Sequence, residues 1–530
     1  LLCLYGAVCV GALWSLDRAF DGLWVFSGEG VLPLQWALLQ LLLATAFAWP
    51  CWRASRSPFG GEGGVVVVAA AVGVAAVALI IGGLVLERFV NSADEYAYLF
   101  QARTYLAGRL WNPPPVLGQA MASVYTWVHG DKWVGQYPPG WPGLLAAAEL
   151  VGIPAWAVNS GLGGGSVLLL WRLARQRGGG TMVVPAVLAY TASPFLLFNA
   201  GSLHSHMAAA FAGLLAFSLA EAAIERRSWR LAAATGAAIG WLATVRYNSA
   251  ALMALPLLAD LLLRARGARW RLLLAAAVGG LPFVAGLLAY HWAITGNPLT
   301  PVYYFSGRTT DHLYFDAQGM ADGARISLFR LVELIEWTAP SLVLVWVLAV
   351  VAKLRGRSLA AADAVFPLFV VFFLFYPFDG ANRYGPRYWF DAFPFLVLTV
   401  ATAGPALAAV GWTEPAKRLA ALAVVAGLAT LPFVAERTNT IVRQRQDLAD
   451  RVAAQGLADA VVVITADTGI LWKMEQEDLA RNGIDADGSV LFVRGELADE
   501  ATVRAAFPRR TVWVYGCGAR DGDCRLVPAP

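Results

Sequence analysis

GVVVVAAAVGVAAVALIIGGLVL (Gly64–Leu86) runs almost directly into Ser92-Ala93-Asp94-Glu95-Tyr96-Ala97-Tyr98. The first stretch is long enough to cross a bilayer, which takes roughly 20 residues. The second sets two adjacent carboxylates where that span meets water. An acidic pair is costly beside hydrocarbon, so it is kept there for function or is solvated at once. The juxtaposition reads as chemistry at a membrane face, with Asp94 as the first candidate.

Composition points the same way. The chain is 58% hydrophobic and 14% charged, with 21 Trp, and its mean hydropathy is +0.58. Soluble domains carry about 25% charged residues. A net charge of +4 over 530 residues gives no reason to invoke nucleic acid. Cys3, Cys9 and Cys51 lie in or beside apolar runs without ligand spacing, so no zinc site built on cysteine is expected. The chain opens at Leu1 without Met and shows no signal-peptide cleavage pattern, so a truncated N-terminus is expected.

Apolar runs of spanning length number about 13. They fall near 1–17, 31–49, 64–86, 154–176, 181–199, 203–224, 231–247, 249–264, 270–293, 326–352, 362–378, 388–411 and 418–435. With this list the basic clusters at 53–56, 172–177, 226–230, 264–271, 353–357 and 417–418 all fall on one face. The positive-inside rule makes that face cytoplasmic. Asp94, Glu95, His204, His206 and Arg246 then border the other face. The expected fold class is an all-α polytopic membrane protein with a small C-terminal α/β domain. We divide it into two N-terminal spans (1–63), a membrane core with outer interfacial helices at 87–153 (64–435), and an extracytoplasmic domain (436–530).

The outer segment 87–153 is rich in Tyr and Trp, which favour the headgroup zone. It reads as an amphipathic helix from Tyr96 to Leu110, stopped at Trp111-Asn112-Pro113. A second short helix, Gly143 to Val151, follows Tyr137-Pro138-Pro139-Gly140-Trp141-Pro142. Beyond residue 456, Ala460–Thr465, Ser489–Arg494 and Thr511–Tyr515 read as three buried strands alternating with helices, and the expected role is a cap on the outer loops. Cys517 and Cys524 are that domain's two cysteines, and outside the cytoplasm a disulfide between them is expected.

At Asp94-Glu95, YPPGWP (Tyr137–Pro142) and GPRY (Gly385–Tyr388) the chain resembles the membrane-embedded C-type glycosyltransferases, in the branch of protein O-mannosyltransferases and the lipid A aminoarabinose transferase. The resemblance covers about 64–435. It implies a glycosyltransferase of the bacterial inner membrane, inverting, with an extracytoplasmic site. The donor would be a polyprenyl-phosphate sugar and the acceptor a lipid, glycan or protein. No cofactor is implied, and a divalent metal is left open. The family commonly places a basic residue just before the Tyr-Pro-Pro segment, where this chain has Gln136; Lys132 is the nearest amine. A later acidic position of related enzymes holds His204 and His206 here.

Such a reaction must deprotonate the acceptor and hold the departing phosphate. A carboxylate suits the first task and the arginine fork suits the second. Asp94 is assigned as general base, against an alternative as helix N-cap. Glu95 either positions the acceptor or favours the helix dipole. Arg387 and Arg246, with Lys132 and Arg383 behind them, are assigned to the phosphate, against snorkelling to the lipid surface. Tyr96, Tyr137, His206 and Tyr384 are placed around the substrate. The competing readings are a transporter or flippase of a lipid-linked saccharide, which would want charges at mid-membrane depth, and a non-enzymatic envelope assembly protein.

The orientation has a direct test. A reporter fused after Arg355 is expected to behave as cytoplasmic and one fused after Pro530 as extracytoplasmic; the opposite result at both points overturns the outward-facing site.

Overall fold

The computed structural model describes residues 63–306, 313–378, 384–465, 476–517 and 524–530. The two spans expected before residue 63 lie outside these residues. Among the described residues, four helices are long and apolar enough to cross a membrane: Gly64–Val85, His206–Arg226, Arg269–Thr295 and Thr413–Arg445. Counting each bent helix pair as one span raises the number to seven. The expected count of about 13 is therefore not reproduced by length and apolarity.

Several expected spans are interrupted, and proline is the common cause. The run at 181–199 breaks at Ser193-Pro194, where two helices meet at 54°. The Ser193 hydroxyl caps the second helix by accepting from the Phe195 amide at 3.2 Å. The run at 326–352 breaks before Pro340 at 111°, and Ala339 there takes φ 136°. The run at 388–411 divides into Arg387–Phe390, Phe393–Ala401 and Gly404–Ala409, the last two with Pro in their first turn. Hydropathy cannot see such breaks, because Pro leaves the apolar average high. In the opposite sense, Thr413–Arg445 carries one helix of 33 residues from the apolar run into the polar stretch beyond it.

Small residues let the helices close. A side chain at Gly164 would meet the Ala71 carbonyl oxygen at 2.8 Å, which is how Val158–Gln176 seats on Gly64–Ile80. On the outside of the bundle, Val65, Val72 and Leu84 remain uncovered.

The outer segment is more structured than expected. After the helix Ala93–Leu106, strands β1 (Thr126–His129) and β2 (Lys132–Gly135) pair antiparallel around Gly130-Asp131. That two-residue Gly-Asp turn is a hairpin signal that the aromatic content concealed. The short helix runs Gly140–Leu150, three residues ahead of its expected start.

The C-terminal sheet has four strands rather than three, in the order β4-β3-β5-β6. β3 (Ala460–Ile464) lies parallel to β4 (Val490–Arg494) and to β5 (Thr511–Cys517); β6 (Cys524–Pro528) is antiparallel to β5. One sheet face, through Val461, Val463, Leu491 and Val493, packs on Ala120 and Met121 of the outer segment. Asn482 adds a hydrogen bond to the Met121 carbonyl at 2.9 Å. Glu87, just past the helix Gly64–Val85, receives Asn439 and Arg443 from the helix Thr413–Arg445 and Gln446 from its C-terminal cap. Arg445 donates to the Asn91 carbonyl at 2.7 Å. Arg481, between β3 and β4, lies 5.8 Å over Phe89 and sets the sheet domain against the loop that leads into Asp94.

Cys517 and Cys524 pair across β5 and β6 and form a disulfide. Peptide mapping without reductant is expected to recover them linked; alkylation of both thiols in the unreduced protein contradicts the pairing.

Candidate functional site

Ser92 caps the helix Ala93–Leu106, accepting from the Glu95 amide at 3.2 Å. Glu95 answers through its carboxylate, which accepts from the Ser92 hydroxyl at 3.1 Å and the Asn91 amide at 3.0 Å. Its other oxygen accepts from the Leu203 amide at 2.8 Å. Asn159 holds the same unwound segment by donating to the Ser202 and His204 carbonyls. Glu95 is 2% exposed. Its oxygens are committed to capping and to the loop 202–205, so it holds that loop against the start of the helix.

With Ser92 as cap and Glu95 as brace, Asp94 is left for a different set of partners. Its Oδ2 accepts from Arg387 Nη1 at 2.9 Å, and its Oδ1 accepts from the Tyr137 hydroxyl. Tyr137 is held by Gln101, whose amide donates to the Tyr137 carbonyl at 2.9 Å and accepts from its N–H at 3.2 Å. The helix Ala93–Leu106 therefore carries both the acid and the residue that fixes its tyrosine. Arg387 arrives through a tight turn: Tyr384 takes φ 60° and Gly385 φ 84°. A side chain at Gly385 would meet the Phe195 ring at 2.8 Å, so only Gly fits there. Tyr384 anchors the turn by accepting from Asn91 at 3.0 Å.

Burial pushes the Asp94 carboxyl up, but Arg387, His204 and the Tyr137 hydroxyl outweigh it and hold the group well below the usual carboxylate range. A depressed acid stays ionised until the pH falls through its lowered value, so Asp94 is an anion throughout the neutral and mildly acidic range. Tyr137 is shifted the other way, by burial first and then by the Asp94 charge, and stays a donor.

A second carboxylate lies close by, and the sequence reading passed over it. Asp391, 1% exposed, contacts His206 Nδ1 at 2.7 Å, Arg246 Nε at 3.0 Å and the Ser249 hydroxyl at 2.5 Å. Arg246 sits in extended conformation between the helices Trp229–Val245 and Tyr247–Arg264, which frees its side chain to reach inward. It also donates to Ser205 at 3.3 Å, and Ser205 meets the Tyr98 hydroxyl at 3.0 Å. The Tyr98 and Tyr137 rings touch at 4.5 Å between centroids. Two acid–arginine pairs thus lie on either side of Tyr98 and Ser205. The signal for Asp391 was its place four residues after Arg387, concealed within an apolar run.

The structure brings Asp94, Glu95, Tyr137, Arg387, Arg246 and His206 into this one region. Asp94 and Arg387, expected to serve the acceptor and the departing phosphate separately, are in direct contact. Lys132 stands elsewhere. It donates to the Ala293 and Ile294 carbonyls at the end of the helix Arg269–Thr295 and lies 4.5 Å over Trp111, a cation satisfying a helix C-terminus. Gln136 accepts from the Trp127 indole at 3.1 Å. Tyr96 turns to Phe89 at 6.4 Å, on the side of the C-terminal domain. Arg383 lies outside the described residues. Among the described residues no group of three or more His, Cys, Asp or Glu is placed to hold a metal ion.

No protein-family model and no curated protein matches the sequence. Solved structures do match. ArnT from Cupriavidus metallidurans bound to undecaprenyl phosphate aligns over 88% of this chain and 98% of its own, at 15% identity and TM-score 0.53. Its apo form aligns over 87% and 97%, at 15% identity and TM-score 0.51. The Archaeoglobus fulgidus oligosaccharyltransferase in complex with Zn and sulfate aligns over 84% and 68%, at 11% identity and TM-score 0.50. The fold of this chain is that of the membrane-embedded C-type glycosyltransferases.

Proposed function

We propose that this protein transfers a sugar from a polyprenyl-phosphate donor to an acceptor at the extracytoplasmic face of the bacterial inner membrane, with inversion. The observation that carries this reading is the Asp94–Arg387 pair, braced by Tyr137 at the start of the first outer helix. The binding of undecaprenyl phosphate by a protein of the same fold supports the donor class.

The contact between base and arginine sets the order of events. Paired with Arg387, Asp94 is a poor base, because its proton affinity is too low. A donor phosphate entering beside Arg387 offers the guanidinium a better-matched partner. As Arg387 turns to the phosphate, Asp94 loses its counter-charge and its proton affinity rises, with the Tyr137 hydroxyl still orienting it. The acceptor hydroxyl then gives its proton to Asp94 and its oxygen attacks the anomeric carbon. The bond from that carbon to the phosphate oxygen breaks, and its electron pair leaves on the phosphate, held by Arg387 and Arg246. Asp391 and His206 keep Arg246 aimed inward. Base activation is thereby tied to donor binding.

Transfer from a polyprenyl-phosphate sugar in reconstituted vesicles tests this directly. Asp94→Asn is expected to lose at least the roughly 10²–10⁴-fold typical of a general base, while binding polyprenyl phosphate as tightly as the parent or more so. Arg387→Ala is expected to weaken that binding about tenfold to a hundredfold, the worth of a charged hydrogen bond. Full transfer by Asp94→Asn contradicts the assignment, and donor movement across the vesicle without bond cleavage identifies a flippase instead.

Asp391→Asn is expected to raise the donor KM by about tenfold with a smaller change in kcat, because it acts through Arg246. An unchanged KM contradicts that role.

A further inference from the structure

Arg227, Arg266, Arg269 and Arg271, with Trp270, line a cavity of about 640 Å³ at the opposite end of the helices from Asp391. Two turns form its walls. One joins His206–Arg226 to Trp229–Val245, where Arg227 takes φ 48°; the other joins Tyr247–Arg264 to Arg269–Thr295, where Gly267 takes φ 81°. Arg271 donates to the Arg227 carbonyl and ties the turns together. Ala268 links the cavity to a small apolar cluster with Ala223, Leu261 and Leu272.

On the same face Arg177 and Arg264 are answered by Glu221 and Asp260, Lys353 by Asp363 and Lys417 by Glu414, while Arg175 and Arg355 lie over Trp171 and Trp412. Among the described residues the four arginines of the cavity form no ion pair, and no carboxylate lines it. Arg271 uses one nitrogen on a backbone carbonyl, and Arg269 lies over its neighbour Trp270. Four arginines lining one cavity with no carboxylate among them suit an anion, and a phosphate matches the guanidinium fork.

The surroundings say which kind of phosphate. Trp270, 69% exposed, lines the cavity, and Trp229, 54% exposed, follows Arg227 by two residues; exposed indoles favour the headgroup zone. One turn further along, Leu274, Val278 and Leu281 stand uncovered at 67%, 59% and 62%. Their spacing puts them on one face of the helix Arg269–Thr295. Cations, then an indole, then a bare apolar stripe is the profile of a lipid molecule read from headgroup to tail. A free anion would have no use for the stripe.

We propose that this cavity binds the phosphate headgroup of an anionic phospholipid, whose acyl chains lie along Leu274, Val278 and Leu281. The site is separate from the Asp94 region and does not depend on the transfer reaction.

The test uses the full chain in nanodiscs of mixed phosphatidylcholine and phosphatidylglycerol, followed by native mass spectrometry of the lipids it retains. The parent is expected to keep phosphatidylglycerol selectively. Arg266→Gln and Arg269→Gln, both at exposed positions, are each expected to lower that retention about fivefold, from the electrostatic worth of one arginine near an anionic surface. Arg355→Gln, at another basic turn of the same face, is expected to leave it unchanged. Retention unaffected by the cavity variants, or lowered equally by Arg355→Gln, overturns the site. Displacement of the lipid by inorganic phosphate at matched concentration overturns the lipid assignment in favour of a soluble anion.

Discussion

Asp94 and Arg387 neutralise one another in a place where neither charge would rest alone. Their side chains are 17% and 7% exposed. Removing one partner of a buried pair leaves the other uncompensated, at about 3–5 kcal/mol. The surrounding structure is arranged to make the pair fit. Ser92 and Glu95 fix where the acid's helix begins, Gln101 holds the tyrosine that shares the acid, and the Tyr384–Gly385 turn delivers the arginine. The unwound segment 202–205 is gripped by Glu95, Asn159 and Trp141, which keeps the two halves of the region in register.

Such a pair is a weak contribution to net stability and a strong contribution to control. It holds the acid ionised yet unreactive, and its release needs an anion able to compete for the guanidinium. A phosphate does this and a neutral sugar does not. The second pair, Asp391 with Arg246, differs in character. His206 and Ser249 also bind that carboxylate, so the arginine is aimed without being consumed. In the proposed reaction one pair opens and the other stays closed.

Much of this was legible from residue order. The apolar run ending at Asp94, the Tyr-Pro-Pro-Gly segment and Gly-Pro-Arg were enough to bring Asp94, Tyr137 and Arg387 together in expectation, because each sits at a boundary between apolar and polar sequence. Four things were hidden. The breaks at Pro194 and Pro340 divide runs that hydropathy scores as continuous. Asp391 lies inside an apolar stretch, where a single acid barely lowers the average. Lys132 and Glu95 have the right chemistry for the site and another use for it, at a helix C-terminus and a helix N-terminus, and such contacts are set by the chain's path rather than by spacing. The fourth strand, Cys524–Pro528, was missed because its Arg and Pro content resembles a loop, although its cysteine named its neighbour.

The central claim is that donor phosphate replaces Asp94 as the partner of Arg387. The most direct measurement is a structure of the full chain with polyprenyl phosphate bound. The account predicts Arg387 on the phosphate and its distance to Asp94 opened beyond hydrogen-bonding range, with Tyr137 still on the acid. A phosphate bound elsewhere, with the 2.9 Å contact between Arg387 and Asp94 intact, would contradict it.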